Sequence, residues 1–338
     1  MVLPEEYISV DSNRMTVVYF SVSGLELLGA LPLVPHKEAI VSWVYAQQIL
    51  DKDCTGGVDG GMAGFLGGPF TGRPFSGDAA KPGRPHGAHD AGHLAMTYTA
   101  LCTLLILGDD LARVDKAGII ASLRKLQQPS GCFHAVACGA ETDVRFLYCA
   151  CAISTILGDW SGVDVDRALA YIKSCQTYEG AFGLRPGLEA HGGSTYCALA
   201  SLALMGKLDS GLDRREDTVH WLLQRQVWGF QGRPSKAPDS CYSFWIGCSL
   251  TMLGDFDKVC HPKLAEFLAA CQHPVYGGFT KIAHDASPPD ILHGYLGLCG
   301  LALLQVPEYP VAPLDPTLGL PLNVHQKWFG RGEREKIS

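Results

Sequence analysis

Glycine follows long apolar stretches in this chain at a nearly fixed interval. Leu107-Gly108, Leu157-Gly158, Met205-Gly206 and Leu253-Gly254 stand 50, 48 and 48 residues apart, and an earlier apolar stretch, Thr16–Leu28, ends at Gly29. Glycine in that place is the left-handed cap expected at the end of a helix. Each cap is followed by a polar turn and a second segment, at Glu38–Gln48, Asp115–Gln127, Asp164–Gln176, Arg215–Gln226 and His261–Gln272. The last four end in a further signature. Gln127 precedes Gly131 and Phe133, Gln176 precedes Gly180 and Phe182, Gln226 precedes Gly229 and Phe230, and Gln272 precedes Gly277 and Phe279. Two helices in a period of about 50 residues describe an array of helical hairpins.

The two kinds of helix differ. His93–Leu107, Asp143–Leu157, Ser194–Met205, Tyr242–Leu253 and Leu292–Leu304 are apolar nearly all round, which predicts burial on every side. Their partners carry charges on one face, such as Arg124 and Lys125, or Arg214, Arg215 and Glu216, and are expected to meet water. An inner ring wrapped by an outer ring satisfies both patterns. The expected fold class is all-α, an α/α barrel (α6-α6 toroid) of helical hairpin repeats. An open solenoid is the alternative, and it would leave one side of the inner helices in water. With Thr16–Leu28 there are six inner segments against five clear outer ones, so the first outer helix is expected to be missing or degenerate. One domain over residues 1–330 is expected, with a polar C-terminal tail at 331–338.

Composition narrows the function classes. The chain has 338 residues, 47% hydrophobic and 18% charged, and a formal net charge of −7. That balance fits a globular chain with a substantial core and argues against nucleic acid as the main partner. No apolar run reaches the roughly 18 residues of a membrane span, and the start lacks a signal peptide. Thirteen cysteines is an odd number, and many lie inside apolar helical runs, as do Cys102, Cys149, Cys151, Cys197, Cys248 and Cys299. Reduced cysteines serving as small hydrophobes in the cytoplasm fit that pattern better than a disulfide framework.

Polar residues gather where the inner helices begin. His93 follows Asp90, Arg145 follows Asp143, His191 precedes Ser194, Asp239 and Cys241 precede Tyr242, and His293 follows Asp290. In a ring of parallel inner helices these starts share one mouth, and helix N-termini favour anions. The four aspartates also read as simple N-caps; the histidines and the cysteine are not expected to cap. Asp239, Cys241 and His293 offer oxygen, sulfur and nitrogen, and three protein ligands with a vacant fourth position are the pattern of a catalytic zinc. An Asp-x-Cys pair with a distant His also recurs by chance. The repeat strengthens the pattern, because one helical unit separates Cys241 from His293. Arg233, Lys236, Lys281 and His191 lie on loops or helix starts of the same kind, and several donors at such a mouth suit a diphosphate. Zinc holds a thiol ionised at neutral pH, so the two features together imply alkylation of a thiol by an allylic diphosphate, with the apolar barrel housing the hydrocarbon tail.

These residues carry a family resemblance. The chain resembles the β subunits of protein prenyltransferases, in particular those of type I protein geranylgeranyltransferases, over about Leu3 to Trp328. Its specific motifs are Asp90–Thr99 (DAGHLAMTYT), His191–Ser194 (HGGS), Gly232–Lys236 (GRPSK), Pro238–Trp245 (PDSCYSFW) and Gly277–Lys281 (GGFTK). The resemblance implies that Asp239, Cys241 and His293 bind zinc, with the substrate cysteine in the fourth place, and that His191, Arg233, Lys236, Tyr242 and Lys281 hold the diphosphate. It implies an α-subunit partner, geranylgeranyl diphosphate as lipid donor and Cys-a-a-X proteins such as Rho/Rac-type small GTPases as acceptors. Thr16 falls where farnesyltransferases place a tryptophan that shortens the lipid pocket. Lys281 falls where they carry a magnesium-binding aspartate, so no magnesium requirement is expected. His93, Ala95 and Phe146 match positions lining the pocket for the residue X, implying Leu or Phe there, with Arg145 helping to position the peptide. Phe146 and Ala95 also read as plain core, and Arg145 as an ion-pair partner of Asp143.

Two departures from the family pattern stand out. The chain starts later than family members, which carry an outer helix ahead of the segment matching Leu3–Phe20, so a truncated start is expected. Leu296 replaces the aromatic residue usual one turn after the zinc histidine, which enlarges the lipid pocket slightly. The alternatives within the enzyme class are a farnesyltransferase, opposed by Thr16 and Lys281, and the Rab-type geranylgeranyltransferase. Outside it, the alternative is a catalytically inactive helical scaffold, opposed by the intact Asp239, Cys241 and His293.

Overall fold

A computed structural model of the chain describes residues 5–51, 62–68, 91–137, 139 and 141–330, the side chain of Glu6 excepted. Asp90 and the tail at 331–338 lie outside the described residues. Helices dominate: α1 (Arg14–Leu27), α2 (Lys37–Ala46), α3 (Leu94–Ile106), α4 (Lys116–Leu126), α5 (Val144–Leu157), α6 (Val165–Cys175), α7 (Gly192–Leu204), α8 (Leu208–Gly211), α9 (Arg215–Leu223), α10 (Tyr242–Met252), α11 (His261–Cys271), α12 (Ile291–Leu304) and α13 (Leu322–Phe329). Two short strands, β1 (Gln48–Ile49) and β2 (Gly64–Phe65), pair antiparallel. No helix of the described residues is long and apolar enough to cross a membrane.

Backbone proximity divides the chain into two compact units, one of Met1–Val22 with Pro32–Ala168 and one of Ser23–Leu31 with Leu169–Ser338. In the first, α3 packs on α5, and α4 packs on α5. Every residue of α3 except Ala95 is buried. In α4, Ile119, Ile120, Leu123 and Leu126 are buried while Arg124 and Lys125 are exposed. The alternation of wholly buried with one-sided helices follows directly from where the charges stand. In the second unit α10 packs between α7 and α12, and α11 lies against α12. The glycines of the repeat have the expected left-handed backbone, with φ of 66° at Gly29, 88° at Gly108, 69° at Gly158, 64° at Gly206 and 72° at Gly254. At Gly158 no neighbour lies within 4 Å of a would-be side chain, so the backbone angle alone calls for glycine.

The glutamine-to-phenylalanine signature has a structural cause. Gln127 bridges Phe133, Gln176 bridges Phe182, Gln226 bridges Phe230 and Gln272 bridges Phe279, each as an isolated antiparallel pair. The phenylalanines turn inward, and all four are buried. The side chains of Gln127, Gln176 and Gln226 reach the next hairpin. Gln127 Nε2 donates to the Asp164 carbonyl at 2.9 Å while its Oε1 accepts from the Asp164 N–H at 2.7 Å. Gln226 makes the same two-point clamp with Cys260 at 2.9 Å in both directions. Gln48 clamps Arg113 O and Asp115 N at 3.1 and 2.8 Å. Each clamp pairs backbone groups beside the first turn of the next amphipathic helix, where helix N–H groups lack partners of their own.

The strands β1 and β2 and the short helices α8 and α13 were not foreseen. β1 and β2 are too short to carry a periodicity; β2 is held by Thr97 Oγ1, which accepts from the Phe65 N–H at 2.9 Å. Helix α13 has eight residues, follows Pro321 and lacks a side-chain cap. Its Asn323 Nδ2 donates to Glu26 Oε1 of α1 at 2.6 Å. Among the described residues none of the eleven cysteines is in a disulfide; ten are buried and Cys260 is exposed.

Clamp and core are expected to differ in weight. Gln127→Ala removes three hydrogen bonds at a partly exposed joint and should cost about 1 kcal/mol. Phe133→Ala empties a fully buried site and should cost about 3–5 kcal/mol. Denaturant unfolding of the two variants beside the parent checks the order; equal costs would contradict it.

Candidate metal and anion site

The metal-ligand trio forms where two glycine-faced helices come close. A side chain at Gly300 of α12 would begin 2.5 Å from Ser243 Cβ of α10, and one at Gly297 would begin 2.7 Å from the Phe279 ring. Hydrogen at these positions lets α12 approach α10 and the 279–281 segment. The approach carries Cys241, which stands just before α10 without a side-chain capping bond, and His293, in the first turn of α12, to Asp239. Backbone bonds fix the rest. Ser240 N donates to Lys281 O at 2.9 Å and Ser240 Oγ to Thr280 O at 2.8 Å, tying the two loops together.

One ligand atom from each of Asp239, Cys241 and His293 lies within 4.8 Å of the others. His293 Nε2 is 3.4 Å from Asp239 Oδ1, and Cys241 N donates to the same oxygen at 3.0 Å. On the far side of the ring, His293 Nδ1 is 2.6 Å from Asp290 Oδ2, while Asp290 Oδ1 accepts from the His293 N–H at 2.9 Å. Asp290 was read from sequence only as an N-cap. It caps α12, and it also holds the imidazole so that Nε2 faces Asp239. A carboxylate on the outer nitrogen is the usual support of a metal-ligating histidine. The spacing Asp-x-x-His across a helix start was the signal available for it.

Charges in the trio are strongly coupled. Burial pulls His293 down from its ordinary 6.5, but hydrogen bonds to Asp239 and Asp290 outweigh it and push it up to about 9. Burial raises the Asp239 carboxyl, and its bonds with His293 and Cys241 more than reverse that, leaving it below its ordinary range. Burial and then the Asp239 charge push the Cys241 thiol far up. Without a cation, both ring nitrogens of His293 and the sulfur of Cys241 therefore carry a proton at neutral pH. Oxygen, nitrogen and sulfur donors suit zinc, and the Asp290 support fits it as well.

Of the expected anion ligands, Lys281 contacts the trio directly and Tyr242 follows Cys241 in the chain. Lys281 Nζ lies 3.9 Å from Asp239 Oδ2. Tyr242 Oη and His191 Nε2 are 2.8 Å apart, with their rings edge to face. His191 Nδ1 accepts from the Gly193 N–H at 3.1 Å. The ring proton therefore sits on Nε2, which donates to Tyr242 Oη and leaves the phenol hydrogen free to donate elsewhere. Burial, then the Arg233 charge, hold His191 below its ordinary value, in keeping with a neutral ring. The loop carrying Arg233 and Lys236 rests on Tyr242, since any side chain at Gly232 would begin 2.1 Å from the Tyr242 ring. Lys236 is exposed. Arg233 is not free: its Nη1 donates to Glu189 Oε2 at 2.8 Å, a partner the sequence reading missed. The sequence reading is also corrected on the histidines. Both His93 and His191 are N-caps, each accepting the second backbone N–H after it through Nδ1.

The remaining predicted positions divide between the units. In the first, the His93 and Phe146 rings stand edge to face with centroids 5.9 Å apart, and Ala95 N donates to His93 Nδ1. Arg145 grips Asp143 through Nε and Nη2 at 2.9 and 2.7 Å, the ion pair set out as an alternative. Thr16 Oγ1 lies 3.7 Å from Met96 Sδ. In the second, Leu296 is buried in α12.

Proton linkage gives a test. Metal must displace a proton from His293 and another from Cys241, so apparent zinc affinity should rise steeply from pH 6 to pH 8 (~two log units per pH unit). In the metal-free chain the raised His293 contributes stability that is full below its ordinary 6.5 and is lost as pH climbs through about 9. Asp290→Asn should weaken zinc about 10- to 100-fold. Competition with a zinc chelator across pH reads both; a flat profile would contradict the proton count.

Comparison with known proteins bears on the family and the fold. The family described as "Prenyltransferase alpha-alpha toroid domain" matches residues 1–320. A relative from Arabidopsis thaliana, "Geranylgeranyl transferase type-1 subunit beta", is 40% identical over 333 residues, 95% of this chain and 85% of the relative. One of the same description from Dictyostelium discoideum is 40% identical over 97% of this chain and 93% of its own length. A Candida albicans protein geranylgeranyltransferase-I complexed with GGPP superposes with a TM-score of 0.81 at 24% identity, over 99% of this chain and 95% of that one, and bears on the fold. Matched over nearly its whole length, the chain belongs to the prenyltransferase alpha-alpha toroid family.

Proposed function

We propose that the chain is the catalytic β subunit of a zinc-dependent type I protein geranylgeranyltransferase. In this reading it moves a geranylgeranyl group from geranylgeranyl diphosphate to the cysteine of C-terminal Cys-a-a-X proteins with Leu or Phe at X, among them Rho/Rac-type small GTPases. The observation that carries the reading is the convergence of Asp239, Cys241 and His293 beside the Lys281 ammonium. Two relatives described as type-1 β subunits, each 40% identical, support it. Residues 1–330 act as one catalytic domain in this reading, paired with an α subunit. A cytoplasmic setting is supported by the free state of the described cysteines.

Asp239, Cys241 and His293 would hold the zinc. When bound, it supplies positive charge that favours the thiolate form of an incoming cysteine at neutral pH. The thiol sulfur bonds to C1 of the lipid as the C1–oxygen bond breaks, the thiol proton passes to solvent, and inorganic diphosphate leaves. Negative charge grows on the departing oxygens, and Lys281, Arg233 and Lys236 offset it. Tyr242, its oxygen already engaged by His191, directs its hydroxyl hydrogen to the same oxygens. Lys281 supplies the charge that magnesium would otherwise bring, so none is needed. His93, Ala95 and Phe146 receive the residue X, with Arg145 beside them for the peptide, and Thr16 and Leu296 leave room for a C20 chain.

The complex with an α subunit should prenylate a peptide ending in Leu from a C20 donor without added magnesium. Cys241→Ala should lose its zinc on mild dialysis together with activity, and Lys281→Ala should slow transfer about 10- to 100-fold. Radiolabelled transfer and metal analysis measure these. An obligatory magnesium requirement, or equal use of a C15 donor, would refute the assignment.

A further inference from the structure

Glu189 stands two residues before His191, outside every motif that the resemblance brings to the diphosphate. Its carboxylate meets Arg233 Nη1 at 2.8 Å, with just over half of the Glu189 side chain and 40% of the Arg233 side chain exposed. The guanidinium has several N–H donors, and Glu189 engages it through one nitrogen, so an anion can share the group as well as displace the carboxylate. A backbone hydrogen bond ties together the two loops that carry the pair. Gly192 N donates to Gly232 O at 2.8 Å, which links the segment after Glu189 to the segment before Arg233. Gly232 in turn lies against Tyr242, and Tyr242 against His191. Of the three cations assigned to the diphosphate, Lys281 faces Asp239, whose charge a metal would offset, and Lys236 is exposed. Arg233 is the one matched by a carboxylate that no metal would claim.

We propose that Glu189 is a resident counter-anion for Arg233, a positioning residue that keeps the guanidinium beside Tyr242 and His191 between turnovers and weakens the hold on diphosphate so that the product leaves. The inference rests on the reading of Arg233 as a diphosphate ligand. A negative charge one guanidinium away from a polyanion opposes its binding through a partly solvated medium, an effect of modest size that salt screens.

The test uses the full chain in complex with an α subunit, with inorganic pyrophosphate as the probe. Glu189→Gln keeps an acceptor of the same shape and removes the charge. It should tighten pyrophosphate about threefold to tenfold and steepen the loss of affinity with added salt. Structural damage would weaken binding, so a gain separates the charge effect from misfolding. In an Arg233→Gln background the same substitution should change affinity by less than about twofold. Unchanged or weaker pyrophosphate binding in Glu189→Gln overturns the proposal, and so does an equal gain in both backgrounds. If the unsubstituted complex does not bind pyrophosphate, or Arg233→Gln leaves its affinity unchanged, the diphosphate reading itself fails and takes the proposal with it.

Discussion

The chemistry of this chain hangs on how closely two buried helices pass each other. α10 and α12 meet through Ser243 and Gly300, a contact that leaves no room for a methyl group. Their N-terminal ends carry Cys241 and His293, far apart in sequence and adjacent in space only because of that contact. Packing of the later half of α12 against the first turn of α10 thus sets the spacing of the ligands at the helix starts. Helix interiors transmit such constraints because they are densely filled and compress little. Asp239 completes the group from a loop pinned by Ser240, whose N–H and hydroxyl both bond to the 280–281 backbone.

The electrostatic design rests on the same proximity. Three potential ligands in a buried space are held in their protonated or paired forms by one another. The imidazole shares its two nitrogens between Asp239 and Asp290, and the thiol is kept neutral by burial and by the nearby carboxylate. Such a cluster is poised for exchange: a cation entering it gains a carboxylate, a sulfur and a ring nitrogen by releasing protons. A few residues away, His191 is held neutral and directional by its own helix start, so that Tyr242 can act as a donor. Histidine therefore plays two parts in one unit, one through a raised and one through a lowered affinity for protons.

Much of this was legible beforehand, and the reasons are specific. The spacing of Gly108, Gly158, Gly206 and Gly254 revealed the hairpin period because a left-handed residue at a helix end leaves few choices. Asp239, Cys241 and His293 stood out because thiol and imidazole have no ordinary reason to sit together at helix starts. Asp290 was half seen: capping explained it fully, and its second contact depends on a rotamer that spacing does not encode. Glu189 escaped because an exposed glutamate two residues from a histidine is unremarkable until its partner across the fold is known. The histidine caps were misread since imidazole is not a favoured cap, although its Nδ1 can accept a backbone N–H when the ring turns back. Helix α13 was too short for periodicity to declare it.

The glutamine clamps described for Gln48, Gln127 and Gln226 lead to a different thought. Each joint uses one side-chain amide and the backbone of whatever residue follows, Asp115, Asp164 or Cys260. A joint of that kind does not recognise which neighbour it has received. Duplicating or excising a whole hairpin would present the same amide to an equivalent stretch of main chain, and the seam would close. The tally of hairpins must consequently be policed by the apolar surfaces between helices, and lineages could explore longer or shorter arrays without first inventing a new fastening.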